Sequence, residues 1–337
     1  MAFEDWPAHD LEAVAHCPYC GDTRRNLAYE GVQDWAFGSA PGRWAYWDCE
    51  NCCALYLAAR PTEASIGRAY ARYYTHAGGV SSPVAQFKQR LRNELWFQVL
   101  GATLTPRLHL PPIFGPGLRV LQRRVAEPFG LRQLVQLPKG LLVDVGCGNG
   151  DKLHLAAQLG WRTCGIELDA AAADAARGRG LDVRQGGYDE LARLPELADC
   201  LICSHVLEHV HEPLALLRLL RAAIRPGGLL LLSTPNARSQ VRRAYGRYWR
   251  GLEAPRHLAI ADATWLRRYL ESLGFVCEPV ASFDWECAAE SERMSRQGDR
   301  LTPADLRAAK MRLGQLGTVP MEHRDATQLV CRLPSAA

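Results

Sequence analysis

The chain has 337 residues, 48% of them hydrophobic and 23% charged, with a formal charge of only +4. Such a profile suits a folded chain of one large domain plus something smaller, and its charge is too weak to argue for nucleic acid by itself. No apolar run approaches a membrane span, and the opening MAFEDWPAHDLEAVAH is acidic where an export leader would be apolar, so a cytoplasmic protein is expected.

The first signal along the chain is a pair of tight cysteine motifs, Cys17-x-x-Cys20 and Cys49-x-x-Cys52. In a reducing compartment clustered cysteines bind metal, and four thiolates at this spacing wrap one ion about 2.3 Å from each sulfur. A closed set of four leaves no open position, so the ion, read as zinc, is structural. Gly21 follows the first pair, but Cys53 follows the second where glycine is usual, so Cys53 competes with Cys52 as ligand. The remaining scattered cysteines, Cys277 and Cys331 among them, are expected to be core.

Residues 61–138 show helical periodicity, broken by the loop TPRLHLPPIFGPG. From 141 the rhythm changes. The runs LLVDVG, TCGIEL, LDVRQ, DCLICS, LLLLST, FVCEPVAS and ATQLVCRL are short and apolar, and helical stretches separate the earlier ones. That alternation predicts an α/β fold, a doubly wound and mostly parallel sheet with helices on both faces. RPGG before LLLLST is expected to stop a helix and turn the chain. Residues 283–325 read as a polar helical insertion.

The stretch VDVGCGNG joins a strand to a helix through Gly146, Gly148 and Gly150, beside Asp144. Ligands of doubly wound sheets sit beyond the carboxyl ends of the strands, and glycine there exposes main chain to them. A dinucleotide fingerprint would place a third glycine where Asp151 stands. The next strand ends in Glu167, where a carboxylate can accept both hydroxyl hydrogens of a ribose.

VDVGCGNG, GIELD, CSHVLEHV, RPGGLLLLSTPN and APRHL, in that order over roughly residues 140–282, resemble the class I S-adenosylmethionine-dependent methyltransferases. The resemblance implies their Rossmann-like seven-stranded sheet, with S-adenosylmethionine held by Asp144, Gly146, Gly148 and Asn149 at its methionine end and by Glu167 at its ribose. It implies adenine contacts from Gly187 and Tyr188, although Gly187 stands where the family commonly has an acid. Ser204 and His205 would flank the sulfonium. CPYCG…CENCCALYLAARPT is similar to the zinc-binding segment on one branch of the family, which favours Cys52 as fourth ligand. The implied organisation is a zinc-ribbon-like segment over 1–60, a helical linker or cap over 61–138, and a methyltransferase domain over 139–337.

A sulfonium methyl needs alignment for in-line attack, and an oxygen nucleophile also needs a base, which a histidine supplies near neutral pH. His257, in a region that the family places over the cofactor, and His209 are the expected bases; Glu208 reads as a surface glutamate at a helix start. The segment 236–260, with six arginines, Tyr245, Tyr248 and Trp249, is expected to act as a lid that clamps a phosphate or carboxylate. A small-molecule acceptor is therefore expected, such as a sugar, a nucleotide-linked sugar or a natural-product intermediate. An RNA methyltransferase gripping its substrate with the ribbon and the arginine arm is the alternative. A zinc scaffold that has kept the cofactor fold without turnover is a third reading.

Overall fold

The structure, a computed structural model, describes residues 5–70, 82–111, 128–280, 285–298, 300–315 and 326–335. Parts of the expected linker (71–81 and 112–127) and of the expected insertion (281–284, 299 and 316–325) lie outside the described residues. The strands in chain order are β1 (Leu11–Ala13), β2 (Arg25–Val32), β3 (Trp44–Cys49), β4 (Leu55–Leu57), β5 (Ala59–Pro61), β6 (Leu141–Val145), β7 (Arg162–Glu167), β8 (Val183–Gln185), β9 (Ala198–Ser204), β10 (Ile224–Pro235), β11 (Ala259–Ile260), β12 (Val276–Pro279) and β13 (Ala326–Arg332).

Seven of them form one sheet in the order β12-β13-β10-β9-β6-β7-β8, the Rossmann-like arrangement expected from the alternation. β6 pairs parallel with β7, and β7 with β8, while β12 and β13 run antiparallel at one edge. Every residue of β6 is buried, as befits a central parallel strand covered on both faces. Asp169 caps the helix Ala170–Gly178 by accepting the Ala171 N–H, and Asp262 caps Ala263–Ser272 through Trp265.

RPGG follows the helix that ends at Ala223, as expected, and stands at the start of β10 with Gly227 left-handed at φ 80°. One expectation needs correcting. Cys277 and Cys331 face each other in register across β12 and β13 and are disulfide-bonded. Scattered in sequence, they become cross-strand neighbours only once the sheet is assembled.

The chain divides into two compact units. One combines Met1–Tyr74, Cys203–Ala222 and Leu232–Pro334; the other combines Thr75–Ile202, Ala223–Leu231 and Ser335–Ala337. In the first unit β11, β4, β3 and β2 make an antiparallel sheet, and β1 pairs with β5. Its core gathers Trp6, Trp44, Tyr46 and Leu57 with Val241, Trp249, Leu258 and Leu313. The second unit carries the helix Pro83–Leu100, capped by the Ser82 hydroxyl, and the glycine turn after β6.

Candidate functional site

In the second unit the turn from β6 to the helix Asp151–Gln158 is shaped by main-chain bonds. The N–H groups of Gly146 and Cys147 both reach the Ile166 carbonyl, at 2.8 and 3.2 Å. Gly148 N–H donates to Glu167 Oε2 at 2.8 Å, and Asp169 N–H donates to Glu167 Oε1 at 2.9 Å. Glu167 is thus fixed from two sides, and a carboxylate with about four acceptor sites keeps capacity for a diol. Gly148 is left-handed, at φ 54°, and a Cβ there would meet open space. The Asn149 side chain is turned back on the loop, its Oδ1 accepting from Asp151 N–H at 3.2 Å.

Asp144 is buried, and its Oδ1 finds no hydrogen-bond partner among the described residues. Burial, with a smaller push from Glu167 against the pull of Lys152, raises its carboxyl from the ordinary 3.8 to about 6. An orphaned acceptor beside bare main chain is a place for a ligand that brings hydrogen-bond donors. Gly187 begins the short helical turn Tyr188–Arg193 after β8, and Gly186 N–H donates to the Glu167 carbonyl at 2.9 Å. Asp144, Gly146, Gly148, Asn149, Glu167, Gly187 and Tyr188 therefore all belong to this unit, whereas Ser204 and His205 belong to the other.

The first unit holds the cysteine cluster. Cys17 Sγ lies 3.5 Å from Cys52 Sγ, and Cys20 Sγ lies 3.4 Å from Cys49 Sγ. Four sulfurs on a tetrahedral ion with bonds near 2.3 Å stand about 3.8 Å apart, so the donor set fits zinc. Cys53 is outside the cluster. It adopts φ 58°, the left-handed conformation that Gly21 takes at 73° after the first pair, which is why glycine is usual there.

The same unit encloses a cavity of about 440 Å³ whose wall includes His205, His209 and His257. His257 Nδ1 is 2.6 Å from the Gly251 carbonyl and His205 Nδ1 is 3.1 Å from Glu208 Oε1, whereas His209 Nδ1 lies 3.0 Å from both the Arg256 carbonyl and the Tyr70 hydroxyl. A carbonyl only accepts, so neutral His257 carries its proton on Nδ1 and its lone pair on Nε2. His209 and His257 pack edge to face, with ring centroids 4.6 Å apart. Burial lowers the His257 imidazole from 6.5 to about 4, against an upward pull from Glu253.

Glu208 is not the surface residue expected from its place in the chain. It is fully buried, accepts from His205 through Oε1 and from the Thr234 hydroxyl through Oε2 at 2.9 Å, and faces all three histidines. Burial alone would raise its carboxyl, but the His205 hydrogen bond and the histidine charges bring it down from 4.5 to about 2. An alternative signal was available in SHVLEH itself, since a glutamate three residues after one histidine and next to another can meet both.

The arginine-rich segment is built into the fold. Arg256 is completely buried; its guanidinium donates to both oxygens of Asp34, at 2.6 and 3.1 Å, and to Glu253 Oε1 at 3.1 Å. Arg242 is bound to Asp48 at 2.6 Å, and Arg250 to Glu253. Arg242, Arg250 and Arg256 thus answer carboxylates of the fold, whereas Arg238, Arg243 and Arg247 are exposed. Arg250 does line the cavity, together with Glu253, Glu286 and Glu290 and the rings of Phe37 and Trp249.

Residues 119–280 match the model of a family described as a methyltransferase domain. Among curated relatives, a ubiquinone biosynthesis O-methyltransferase of Xanthomonas campestris pv. campestris is 37% identical over 109 residues, covering 30% of this chain and 46% of that protein. One from Cereibacter sphaeroides is 29% identical over 176 residues, covering 50% of this chain and 62% of the relative. The chain spans about half the length of the curated relatives it matches. Among solved structures, a SAM-dependent methyltransferase from Archaeoglobus fulgidus aligns at 18% identity and a TM-score of 0.43, covering 64% of this chain and 93% of that one.

Proposed function

We propose that this chain, whose residues 119–280 match a methyltransferase domain, is a class I S-adenosylmethionine-dependent methyltransferase that methylates a small hydroxylated molecule. S-adenosylmethionine, in this reading, lies on Asp144, Gly146, Gly148 and Asn149, with Glu167 on its ribose, Gly187 and Tyr188 toward adenine, and Ser204 and His205 toward the sulfonium. The supporting observation is the orphaned, buried Oδ1 of Asp144 beside the open face of Gly148. The bound cofactor supplies an activated methyl; the protein's part is to hold the two reactants in line and to take up a proton.

The cavity suits a polyol or another neutral, hydroxyl-rich acceptor. Three glutamates and three histidines on its wall accept hydroxyl hydrogens, and Phe37 and Trp249 offer ring surface for an apolar face. A phosphate would meet Glu253, Glu286 and Glu290, with Arg250 already bound to Glu253. His257 and His209 are proposed to engage the reacting hydroxyl. An RNA acceptor is the weaker reading, because the formal charge is only +4 and Arg242, Arg250 and Arg256 are paired with Asp48, Glu253 and Asp34. Zinc on Cys17, Cys20, Cys49 and Cys52 is proposed as structural, in a ribbon over residues 1–60 of a cytoplasmic enzyme.

The test is incubation of cell extracts with the protein and trideuteromethyl-labelled S-adenosylmethionine, followed by mass spectrometry. A small product gaining one labelled methyl is expected. Failure of the purified protein to bind S-adenosylmethionine in calorimetry would overturn the reading.

A further inference from the structure

We propose that Glu208, His209 and His257 form a second metal site, which holds a divalent transition ion at the histidine cavity with positions open to oxygen ligands. The site stands on the first unit alone; its use by an acceptor rests on the methyl-transfer reading above.

The donor set comes first. A ligand atom of each of the three residues lies within 4.8 Å of those of the other two. Ligands bonded at about 2.0–2.2 Å stand roughly 3 Å or a little more apart, so small side-chain rotations bring the three onto one ion. All three residues belong to the first unit, and both histidines line the cavity of about 440 Å³.

What stands behind the donors is the second observation. A histidine on a metal ordinarily donates its other ring N–H to a carbonyl or a carboxylate, which fixes the ring and directs its lone pair. His257 Nδ1 lies 2.6 Å from the Gly251 carbonyl, and His209 Nδ1 lies 3.0 Å from that of Arg256. An ion on His209 Nε2 would place the remaining proton on Nδ1, between the Arg256 carbonyl and the Tyr70 hydroxyl. Among the described residues neither Nε2 makes a hydrogen bond; Glu253 Oε2, at 3.8 Å from that of His257, is too distant for one. Glu208 is anchored as well, with His205 Nδ1 at its Oε1 and the Thr234 hydroxyl at its Oε2. A carboxylate has about four acceptor positions, so each oxygen keeps one for an ion.

This site and the cysteine cluster select different chemistry. Four thiolates close the shell of a soft ion, whereas two imidazoles and one carboxylate suit zinc, iron(II) or cobalt(II) and leave positions open. Two neighbouring oxygens of an acceptor can occupy those positions as a chelate. The ion then polarises a bound hydroxyl and makes its proton easier to remove. His209 and His257 thus meet the acceptor through the ion.

Cobalt(II) is the probe, because on thiolates it absorbs by charge transfer and on imidazoles with a carboxylate it does not. Added to the purified protein, it should bind at one site per chain that shows ligand-field bands without thiolate absorption. Proton NMR should then show two exchangeable, hyperfine-shifted N–H resonances, one from each Nδ1. His257→Gln should remove one of them and weaken cobalt binding at this site by at least about 10-fold. Azide, which enters only an open position, should shift the ligand-field bands. Cobalt on the cysteines alone, cobalt bound without the two resonances, or an affinity that His257→Gln leaves unchanged would overturn the site. Bands that azide does not move would overturn its use by an acceptor. Failure to bind S-adenosylmethionine in calorimetry would instead overturn methyl transfer and leave the cobalt results in place.

Discussion

Between Val145 and Asp151 the glycine turn is made of main chain, contiguous in sequence, with Glu167 arriving from the next strand. The histidine cavity is made of side chains that come from residues 205–209, 235, 249–257, 286–290 and the neighbourhood of Phe37. A ligand site of the first kind depends on what is missing from the backbone. One of the second kind depends on a network of buried charges, in which Arg256, Asp34, Glu253 and Glu208 each need a partner. The two regions should therefore fail differently when changed.

The largest effect is expected from Cys17→Ser, which removes one of the four sulfurs of the proposed zinc site. Bound zinc, measured by elemental analysis, should fall from about one per chain to a small fraction, and the unfolding midpoint should drop with it. Normal metal content in that variant would refute the ribbon. Next, Arg256→Met leaves Asp34 buried without its guanidinium, and breaking such a pair costs about 3–5 kcal/mol. Urea denaturation should show that loss, and a cost below about 1 kcal/mol would mean that the cavity does not depend on the network.

A third prediction sets the two regions against each other through pH. Asp144 has a raised carboxyl, from 3.8 to about 6, so the folded state holds its proton over a range where the unfolded chain has lost it. Its contribution is present below about pH 4 and declines by roughly 3 kcal/mol as pH climbs through 6. His257 has a lowered imidazole, from 6.5 to about 4. Its contribution is present above the ordinary value and is lost, by about the same amount, as pH falls from 6.5 to 4. Asp144→Asn should flatten the falling slope and His257→Gln the rising one. Stability curves from pH 4 to 7 that respond alike to both changes would dissolve the contrast.

The smallest effect is local to the turn. Gly148→Ala adds a Cβ into open space, at the cost of about 1 kcal/mol of left-handed strain, and should weaken S-adenosylmethionine binding more than stability. Gly150→Ala at φ 80° puts its Cβ 2.3 Å from Leu181 Cδ1, which adds about 1 kcal/mol or more of overpacking. Equal unfolding midpoints for the two would show that the turn adjusts.

Much of the fold was legible because its signals are local. Strand and helix alternate at the spacing that a parallel sheet demands, and a glycine turn after an apolar run marks the strand end where ligands gather. The cysteine pairs were legible for the same reason: two residues between the partners, twice. Glu208 was not. Its neighbours in sequence say helix start, and only the packing of β10, with Thr234, turns that start inward. Arg242 and Arg256 misled in the opposite direction, since a cation in a basic run reads as surface until Asp48 and Asp34, about two hundred residues earlier, are brought beside them. Long-range charge pairing leaves no period in a sequence.

The strand that follows His257 has a consequence for how this protein can be cut or grafted. β11 is zipped to β4, with Ala259 opposite Tyr56, while Leu57 N–H binds the Leu258 carbonyl and the Tyr19 hydroxyl binds that of Ala259. Removing the first sixty residues would strip hydrogen bonds from the backbone that carries a cavity histidine. The N-terminal segment is thus a wall of the histidine cavity, and a chimera that exchanges it must exchange residues 250–260 as well.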